Sequence, residues 1–269
     1  MDSELLQKRF GLMGARVVVG LEVRGRWGRG SRPAGINIRT DAKGEFFDIR
    51  VAGERDVGYE VIDVRPDLRH LLLLARNGGD SKAKFLCGHD ERHWFVCAVP
   101  GARVADVSTA LAALQPVDVR VAVMRRVRRA KNRLRRRNEA FVRQGEWFFI
   151  PEPNLIVNEK LVHHNEPISR GAGSKPHMCQ YLHRVGGVPV MVCNRHPAGL
   201  LLEQYEQLIA RRPSAKGWGW QPMRRGAGVY VRGRVWHPDH KTIVLDGWHR
   251  VMMNTEAQAP GRERVVFLD

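Results

Sequence analysis

The sequence has 269 residues and is 43% hydrophobic, so it is long enough for one large domain or two small ones and too apolar for general disorder. Its 45 Lys and Arg residues exceed its 28 Asp and Glu residues, which gives a net charge of +17. This excess predicts a polyanionic partner, most commonly a nucleic acid, and the predominance of arginine suits phosphate binding.

The start of the chain is acidic and lacks the apolar core of a signal peptide. No stretch approaches the roughly 20 apolar residues that cross a membrane. We therefore expect a cytoplasmic protein with no membrane partner, whose four cysteines are reduced and available for metal.

The N-terminal part of the chain is predicted to be β-rich. A short helix and a strand precede an arginine- and glycine-rich loop at residues 24–35. Five short segments between residues 45 and 99 are then rich in β-branched and aromatic residues and are bounded by turn residues, which is typical of an antiparallel meander. With a helix at 104–114 covering one face, this domain is placed at residues 1–115.

The stretch CGHDERHWF lies between two of these predicted strands. Cys87, His89 and His93 could converge there with Asp90 or Glu91, because a thiolate nucleophile needs a neighbouring base and a metal needs about four ligands. Polar residues are also ordinary at a turn. The simpler interpretation, the polar tip of a hairpin, is preferred.

Residues 116–144 are predicted to form one long amphipathic helix that connects two domains. Apolar residues recur every three or four positions, with a proline and a glycine at the ends. The other faces are cationic, and Glu139 is the only acid between Arg125 and Arg143. Because like charges destabilise an isolated helix, we expect it to contact nucleic-acid phosphates, through Arg125, Arg128, Arg129, Arg133 and Arg136.

The remaining residues, 145–269, are predicted to form a second β-rich domain with an amphipathic helix at 198–212. The predicted fold class is therefore α+β, with two β-rich, mainly antiparallel units joined by the long basic helix.

A Gly186-Gly187 pair is expected to close a two-residue hairpin in this domain. With that turn, Cys179 and Cys193 point to opposite faces of the sheet, because side chains alternate along a strand. A zinc site formed by both cysteines with His177 and His196 is therefore disfavoured, and two packed thiols are the simpler interpretation.

A second candidate metal site involves His237 and His240, which flank a Pro-Asp pair before a predicted strand. With Glu166 and His177 they could bind a divalent metal, zinc or manganese, that activates water. His237, His240 and Glu166 would then be catalytic. Without a metal, paired histidines near arginines could cleave RNA by acid–base catalysis. A polar turn with hydrogen-bonded histidines is the structural alternative.

Short motifs in the C-terminal part resemble those of a small, uncharacterised bacterial protein family. That family opens with Arg-Gln-Gly-Asp and an apolar strand, then carries a Gly-Glu before a His-x-His, and later a His-x-Glu-His before a strand. The corresponding positions here are Arg143, Gln144, Gly145, Glu166, His177, His237, Asp239 and His240. Glu146, Lys175 and Asp239 stand where the family has Asp, His and Glu. The resemblance implies a shared polar site and names no reaction.

Residues 216–234 interleave aromatic and cationic side chains. Aromatic surfaces between cations bind single-stranded nucleic acid, although tryptophans also fill cores. The candidate nucleic-acid contacts here are Trp218, Trp220, Arg224 and Arg225.

Three functions are open from the sequence. The first is a nucleic-acid-binding protein, with RNA or single strands slightly favoured over duplex DNA. The second is a metal-dependent nuclease or other hydrolase that uses the His/Glu site. The third is a basic scaffold for an acidic protein. Salt-dependent binding to random oligonucleotides separates the first from the third, and metal analysis tests the second.

Overall fold

The computed structural model describes residues 3–22, 35–52, 58–77, 81–101, 103–169 and 175–256. Within them the chain forms two compact units. Unit 1 contains the residues up to 120 and those from 254, and unit 2 contains residues 121–253. The arginine- and glycine-rich loop predicted at 24–35 lies almost entirely outside the described residues.

Unit 1 contains two small sheets and short helices. Its main elements are α1 (Ser3–Leu12), β1 (Val17–Glu22), β2 (Gly35–Asp41), β3 (Gly44–Ala52), β4 (Gly58–Arg65), β5 (His70–Asn77), β6 (Ser81–His89), β7 (Trp94–Ala98) and α2 (Val107–Ala113). In one sheet β3 is the central strand, with β1 parallel to it and β2 antiparallel to it. In the other, β4 to β7 pair in chain order and all antiparallel.

The predicted antiparallel meander is confirmed for four of its five strands. Residues 45–51 belong instead to β3, in the first sheet. The core of the unit contains Phe10 of α1, Phe47 of β3, and Leu71 and Leu73 of β5. Alternate positions of β5 therefore supply this core, as expected for a strand with two distinct faces.

The stretch CGHDERHWF forms the β6–β7 hairpin. Gly88 pairs with Phe95 and His89 pairs with Trp94, and the turn closes with Asp90 N donating to His93 O at 2.7 Å. Cys87 is fully buried, and this burial raises the pKa of its thiol well above the usual value. Because a buried, protonated thiol is a poor nucleophile, the structure favours the hairpin-tip interpretation.

The prediction of one helix over residues 116–144 is wrong. α3 (Val117–Arg126) ends after 10 residues. A single 3-10 turn follows at Ala130–Asn132, and Arg137 forms an isolated β-bridge with Val142. The arginine-rich stretch is therefore mainly turns, and the apolar periodicity that predicted a helix does not mark a continuous one.

Asn138 provides a physical reason for this difference. Its side-chain Oδ1 accepts hydrogen bonds from Ala140 N at 2.9 Å and Phe141 N at 3.1 Å. Its Nδ2 donates to the carbonyls of Asn132 and Arg135. Such local side-chain bonds to the backbone compete with helical hydrogen bonds, and the run of like charges opposes the helix further.

Unit 2 is built mainly from antiparallel strands. Its elements after α3 are β8 (Val142–Gln144), β9 (Trp147–Pro151), β10 (His163–Ile168), β11 (His177–Val185), β12 (Val188–Cys193), β13 (His196–Leu201), α4 (Leu202–Arg211), β14 (Gln221–Arg225), β15 (Gly228–His237) and β16 (His240–Met253). Six strands form one sheet in the order β10-β11-β15-β16-β9-β8, and three form another in the order β13-β12-β14. The α+β, mainly antiparallel class is thus confirmed.

The predicted hairpin at Gly186-Gly187 is wrong, because β11 and β12 belong to different sheets. Both glycines have positive φ, at 69° and 78°, so the chain does turn there, but it leaves the six-stranded sheet. Cys179 and Cys193 are buried in separate sheets as free thiols. The statement that the two cysteines do not share a zinc ion stays a prediction. Its basis is now their position in separate sheets, and no longer the alternation of side chains along one hairpin.

Candidate metal site

Three histidines of unit 2 lie together at the ends of three strands. His177 is the first residue of β11, His237 the last of β15, and His240 the first of β16. Each offers one ring nitrogen, and these nitrogens lie within 4.8 Å of one another. His237 and His240 are cross-strand partners at the end of the β15–β16 hairpin, so a tight turn fixes this pair.

The ring geometry confirms that the cluster is compact. The ring centroid of His177 lies 4.2 Å from that of His237 and 5.2 Å from that of His240. His177 and His237 are 1% and 8% exposed, and His240 is half-buried. Trp147 of β9 contacts His177 edge-on, with centroids 6.3 Å apart. His240 is therefore the most exposed of the three histidines.

Gly145 lies directly against two of the histidines. Its φ is +56°, and a Cβ added to it would be 2.8 Å from His240 Nε2 and 3.3 Å from His177 Nε2. The two Nε2 atoms therefore approach the same point in space beside the glycine backbone. A residue with a side chain would fill that point, so glycine is needed here for its lack of a side chain as well as for its backbone conformation.

The neighbouring residue, Gln144, connects the strands that carry His237 and His240. It is fully buried, and its Nε2 donates to Val235 O at 3.2 Å and to Lys241 O at 2.7 Å. These two carbonyls lie in β15 and β16, close to the turn. Gln144 is thus a positioning residue for the hairpin end.

The carboxylate of Asp239 is engaged by Lys175. The Lys175 Nζ lies 2.9 Å and 3.0 Å from the two carboxylate oxygens. The two side chains thus form an ion pair with each other. Asp239 therefore acts here as an anchor for Lys175.

The backbone N–H of Asp239 donates to His237 Nδ1 at 3.1 Å. A neutral imidazole carries one ring proton, so the accepting Nδ1 leaves that proton on Nε2. A metal that bound His237 through Nδ1 would displace this hydrogen bond. One that bound through Nε2 would require the ring proton to move to Nδ1, which could then no longer accept from Asp239 N. Metal binding at this residue would therefore require a small adjustment of the turn.

Glu166, the expected fourth ligand, is not part of the histidine group. It pairs with Cys179 in β10–β11, and its Oε2 lies 3.5 Å from Arg184 Nη1. His177 itself pairs with Ile168, two residues further along β10. The structure thus brings together three of the four predicted ligands.

The other predicted contact residues are distributed over unit 2. Trp218 and Trp220 lie together with near-parallel rings. Arg224 donates to Gly186 O at 2.8 Å, and Arg225 donates to Ala198 O at 3.4 Å. Of the arginines predicted on the long helix, Arg136 is half-buried and the others are exposed: Arg125, Arg128, Arg129 and Arg133.

His196 has a place in the structure that the sequence reasoning missed. Its ring stacks with those of both Trp218 and Trp220. The Cys193-x-x-His196 spacing is typical of zinc ligands and does not indicate a contact with aromatic rings. Those neighbours were detectable only as a Trp-Gly-Trp sequence distant in the chain.

No single helix in the described part of the chain is long and apolar enough to cross a membrane, although α2 and α3 together pass that test as a pair bent by 115°. No family model, no curated protein and no solved structure matches the chain. The resemblance to a bacterial family stays a prediction from short motifs, and the geometry of the three histidines is the main guide to function.

Proposed function

We propose that unit 2 is a metal-dependent hydrolase in which His177, His237 and His240 bind a divalent metal ion. The observation that carries the proposal is the approach of three imidazole nitrogens to within 4.8 Å of one another. Zinc–nitrogen bonds of about 2.0–2.1 Å place two ligands of one ion at most about 4.2 Å apart. Small side-chain rotations therefore bring all three rings to one metal.

The ligand set favours zinc over manganese. Imidazole nitrogen suits zinc, whereas manganese prefers carboxylate and other oxygen ligands, and Glu166 lies with Arg184 instead. Three protein ligands leave a position for water, and zinc lowers the pKa of bound water to about 7. Hydrolysis is the reaction class that this arrangement supports best.

The charge of the protein supports a polyanionic substrate. The net charge is +17, and the segment after α3 carries exposed arginines at Arg128, Arg129 and Arg133. Nucleic acid is the substrate class that we propose, with the phosphodiester bond as the bond cleaved. The second candidate, a nucleic-acid-binding protein without catalysis, is favoured by the same exposed arginines. An acidic protein partner is the third.

Metal analysis and a cleavage assay test the proposal on the full chain. We expect the purified protein to bind about one zinc per chain by equilibrium dialysis, and His177→Ala and His240→Ala to lose this zinc. His163→Ala is the matched control, because His163 is exposed on β10 and should leave zinc binding unchanged.

The same variants should lose zinc-dependent cleavage of labelled oligonucleotides, and chelator should abolish cleavage by the wild type. Zinc binding that survives both substitutions would refute the metal site. Zinc binding without cleavage of any oligonucleotide would refute the nuclease and leave the metal site intact. Competition by an acidic polypeptide as strong as that by nucleic acid would favour the scaffold.

A further inference from the structure

A cluster of three near-parallel rings lies in the smaller sheet region of unit 2, formed by His196, Trp218 and Trp220. The ring centroids are 6.0 Å apart for His196 and Trp218, 5.5 Å for His196 and Trp220, and 6.2 Å for the two tryptophans. The interplanar angles are 16°, 16° and 19°. We call these three side chains the ring platform.

The ring platform is held in place by its surroundings. The indole Nε1 of Trp220 donates to Ala215 O at 2.8 Å, and Ala215 is fully buried. Tyr205 of α4 contacts Trp220 edge-on, with centroids 5.0 Å apart. His196 is fixed as the first residue of β13. The platform is thus supported by a helix, a strand and the 3-10 turn at Pro213–Gly217.

Two exposed arginines lie over one ring of the platform, that of Trp218. The guanidinium carbon of Arg195 lies 4.3 Å from the ring centroid of Trp218, and that of Arg212 lies 5.2 Å from it. Both arginines are exposed, and neither has a carboxylate within ion-pair distance among the described residues. Residues 186–226 contain six Lys and Arg against two Glu, so the cations around the rings are in clear excess.

The rings of the platform do not serve as a closed core. Trp218, Trp220 and His196 are each half-buried, whereas Trp147 and Trp248 of the same unit are 1% and 8% exposed. Partly exposed, parallel aromatic surfaces beside cations with free donors are the combination that binds unpaired bases and the adjacent phosphates. A cationic ligand would be repelled by the arginines, and the carboxylates of an acidic peptide would not stack on parallel rings.

We infer that the ring platform binds single-stranded nucleic acid. An unpaired base takes the place of a guanidinium group over the Trp218 ring and stacks there beside His196 and Trp220, and the displaced Arg195 and Arg212 contact the adjacent phosphates. This deepens the nucleic-acid part of the proposed function and does not require the metal. Duplex nucleic acid keeps its bases stacked in the helix and cannot offer their faces. The platform therefore selects single strands.

Binding of the full chain to a fluorescein-labelled single strand, measured by anisotropy in the presence of EDTA, tests the inference. Trp218→Ala should weaken binding roughly 5- to 150-fold, which corresponds to the loss of one stacked base. Trp218→Phe should restore most of the affinity, because it restores a ring. Arg195→Gln should weaken binding to the single strand and to inorganic polyphosphate alike, because its contact is to phosphate.

Phe46→Ala is the matched control. Phe46 is a half-buried ring in unit 1, with the guanidinium carbon of Arg16 at 5.4 Å from its centroid, and its loss should not change the affinity. The Trp218→Ala effect should be absent with polyphosphate, which has no bases, and with the matching duplex. Thermal unfolding confirms that each variant is folded.

Unchanged single-strand affinity in folded Trp218→Ala would overturn the inference, as would an equal loss for duplex or polyphosphate. If Trp218→Ala does not fold, Trp218→Phe and Trp218→Leu replace it, and equal affinity of these two would also overturn the inference. Because EDTA is present throughout, failure here leaves the metal site untouched, and loss of zinc binding in the histidine variants leaves the platform untouched.

Discussion

Replacement of Gly145 by alanine is expected to abolish metal binding at the histidine site while leaving unit 2 folded. The new methyl group would lie 2.8 Å from His240 Nε2 and 3.3 Å from His177 Nε2. It would occupy the point that both nitrogens approach and that a shared ion needs. The substitution thus removes the site without removing any ligand.

The stability cost of Gly145→Ala can be worked out from the backbone. At φ +56° an alanine costs about 1–2 kcal/mol relative to the right-handed region, and displacement of the His240 ring adds to that. A domain with about 5–15 kcal/mol of stability remains folded after such a loss. Gly186→Ala is the matched control, because Gly186 has φ +69° and nothing within 4 Å of an added Cβ.

Unfolding with and without zinc is the assay. A ligand at about 100 times its Kd stabilises the folded state by about 2.7 kcal/mol. Wild type and Gly186→Ala should both gain this amount on addition of zinc, whereas Gly145→Ala should gain none. If Gly145→Ala is stabilised by zinc as much as the control, the ion does not bind between these two Nε2 atoms, and the assignment of the site is refuted.

The other predictions concern positioning, charge, pH and thiols. Gln144→Met should cost about 1–3 kcal/mol of stability, because the buried Val235 carbonyl and the partly buried Lys241 carbonyl lose their donor. It should also weaken zinc binding more than His163→Ala does, and equal zinc affinity of the two variants would show that Gln144 does not position the hairpin end. Backbone hydrogen bonding from Thr109 N, followed by its side-chain hydroxyl, lowers the pKa of Asp106 at the start of α2, so this cap stabilises at neutral pH and is lost as the pH falls through the lowered pKa. Asp106→Asn should therefore flatten the acid limb of a stability–pH curve, and an unchanged limb would contradict the assignment. Alkylation of Cys179 and Cys193 after unfolding in chelator-free buffer should release no zinc beyond that released by unfolding alone. Replacing four arginines of the basic stretch by glutamine (Arg128, Arg129, Arg133 and Arg136) should lower the slope of log K against log salt by roughly 0.7–0.9 per lost phosphate contact. An unchanged slope would show that the polyanion binds at another surface.

The parts of the fold that depend on local pattern could be predicted from the sequence. The strands β4 to β7 alternate with turn residues, and each pairs with its neighbour in the chain, so segment order alone gives the meander. Residues 45–51 look the same locally but pair with β1 in parallel. Nothing within a segment specifies which sheet it joins, so this partner choice was not predictable.

In the arginine-rich stretch, it was the local pattern itself that gave a wrong prediction. Its apolar spacing is helical, and yet the helix ends at Arg126. The four hydrogen bonds of the Asn138 side chain to nearby backbone groups outweigh a weak periodic signal in a segment of like charges. A single asparagine is a weak signal in sequence, because most asparagines make no such network.

Those residues of the histidine site that lie close together in the chain could be predicted to meet, whereas the distant ones could not. His237 and His240 are separated by a Pro-Asp turn, so their proximity follows from the sequence. His177 reaches them because β11 lies beside β15, which only the strand order reveals. Glu166 was misplaced because it pairs with Cys179, two residues along β11 from His177, and lies beside Arg184; this register cannot be read from the sequence.

Most of the proposed metal site is already arranged in the folded chain without a metal. Gln144 holds the backbones of β15 and β16, and Gly145 keeps open the space that two Nε2 atoms face, so most of the ordering cost is met by folding. What remains is the hydrogen bond from Asp239 N to His237 Nδ1, which is incompatible with metal on Nε2 in the present tautomer. The Asp239 carboxylate is paired with Lys175, but the two side chains are 63% and 39% exposed, so the flexible lysine can follow the turn as it moves. A surface ion pair of this kind contributes about 0–1 kcal/mol. If the three histidines bind a metal as proposed, the main cost is therefore the loss of the hydrogen bond to His237.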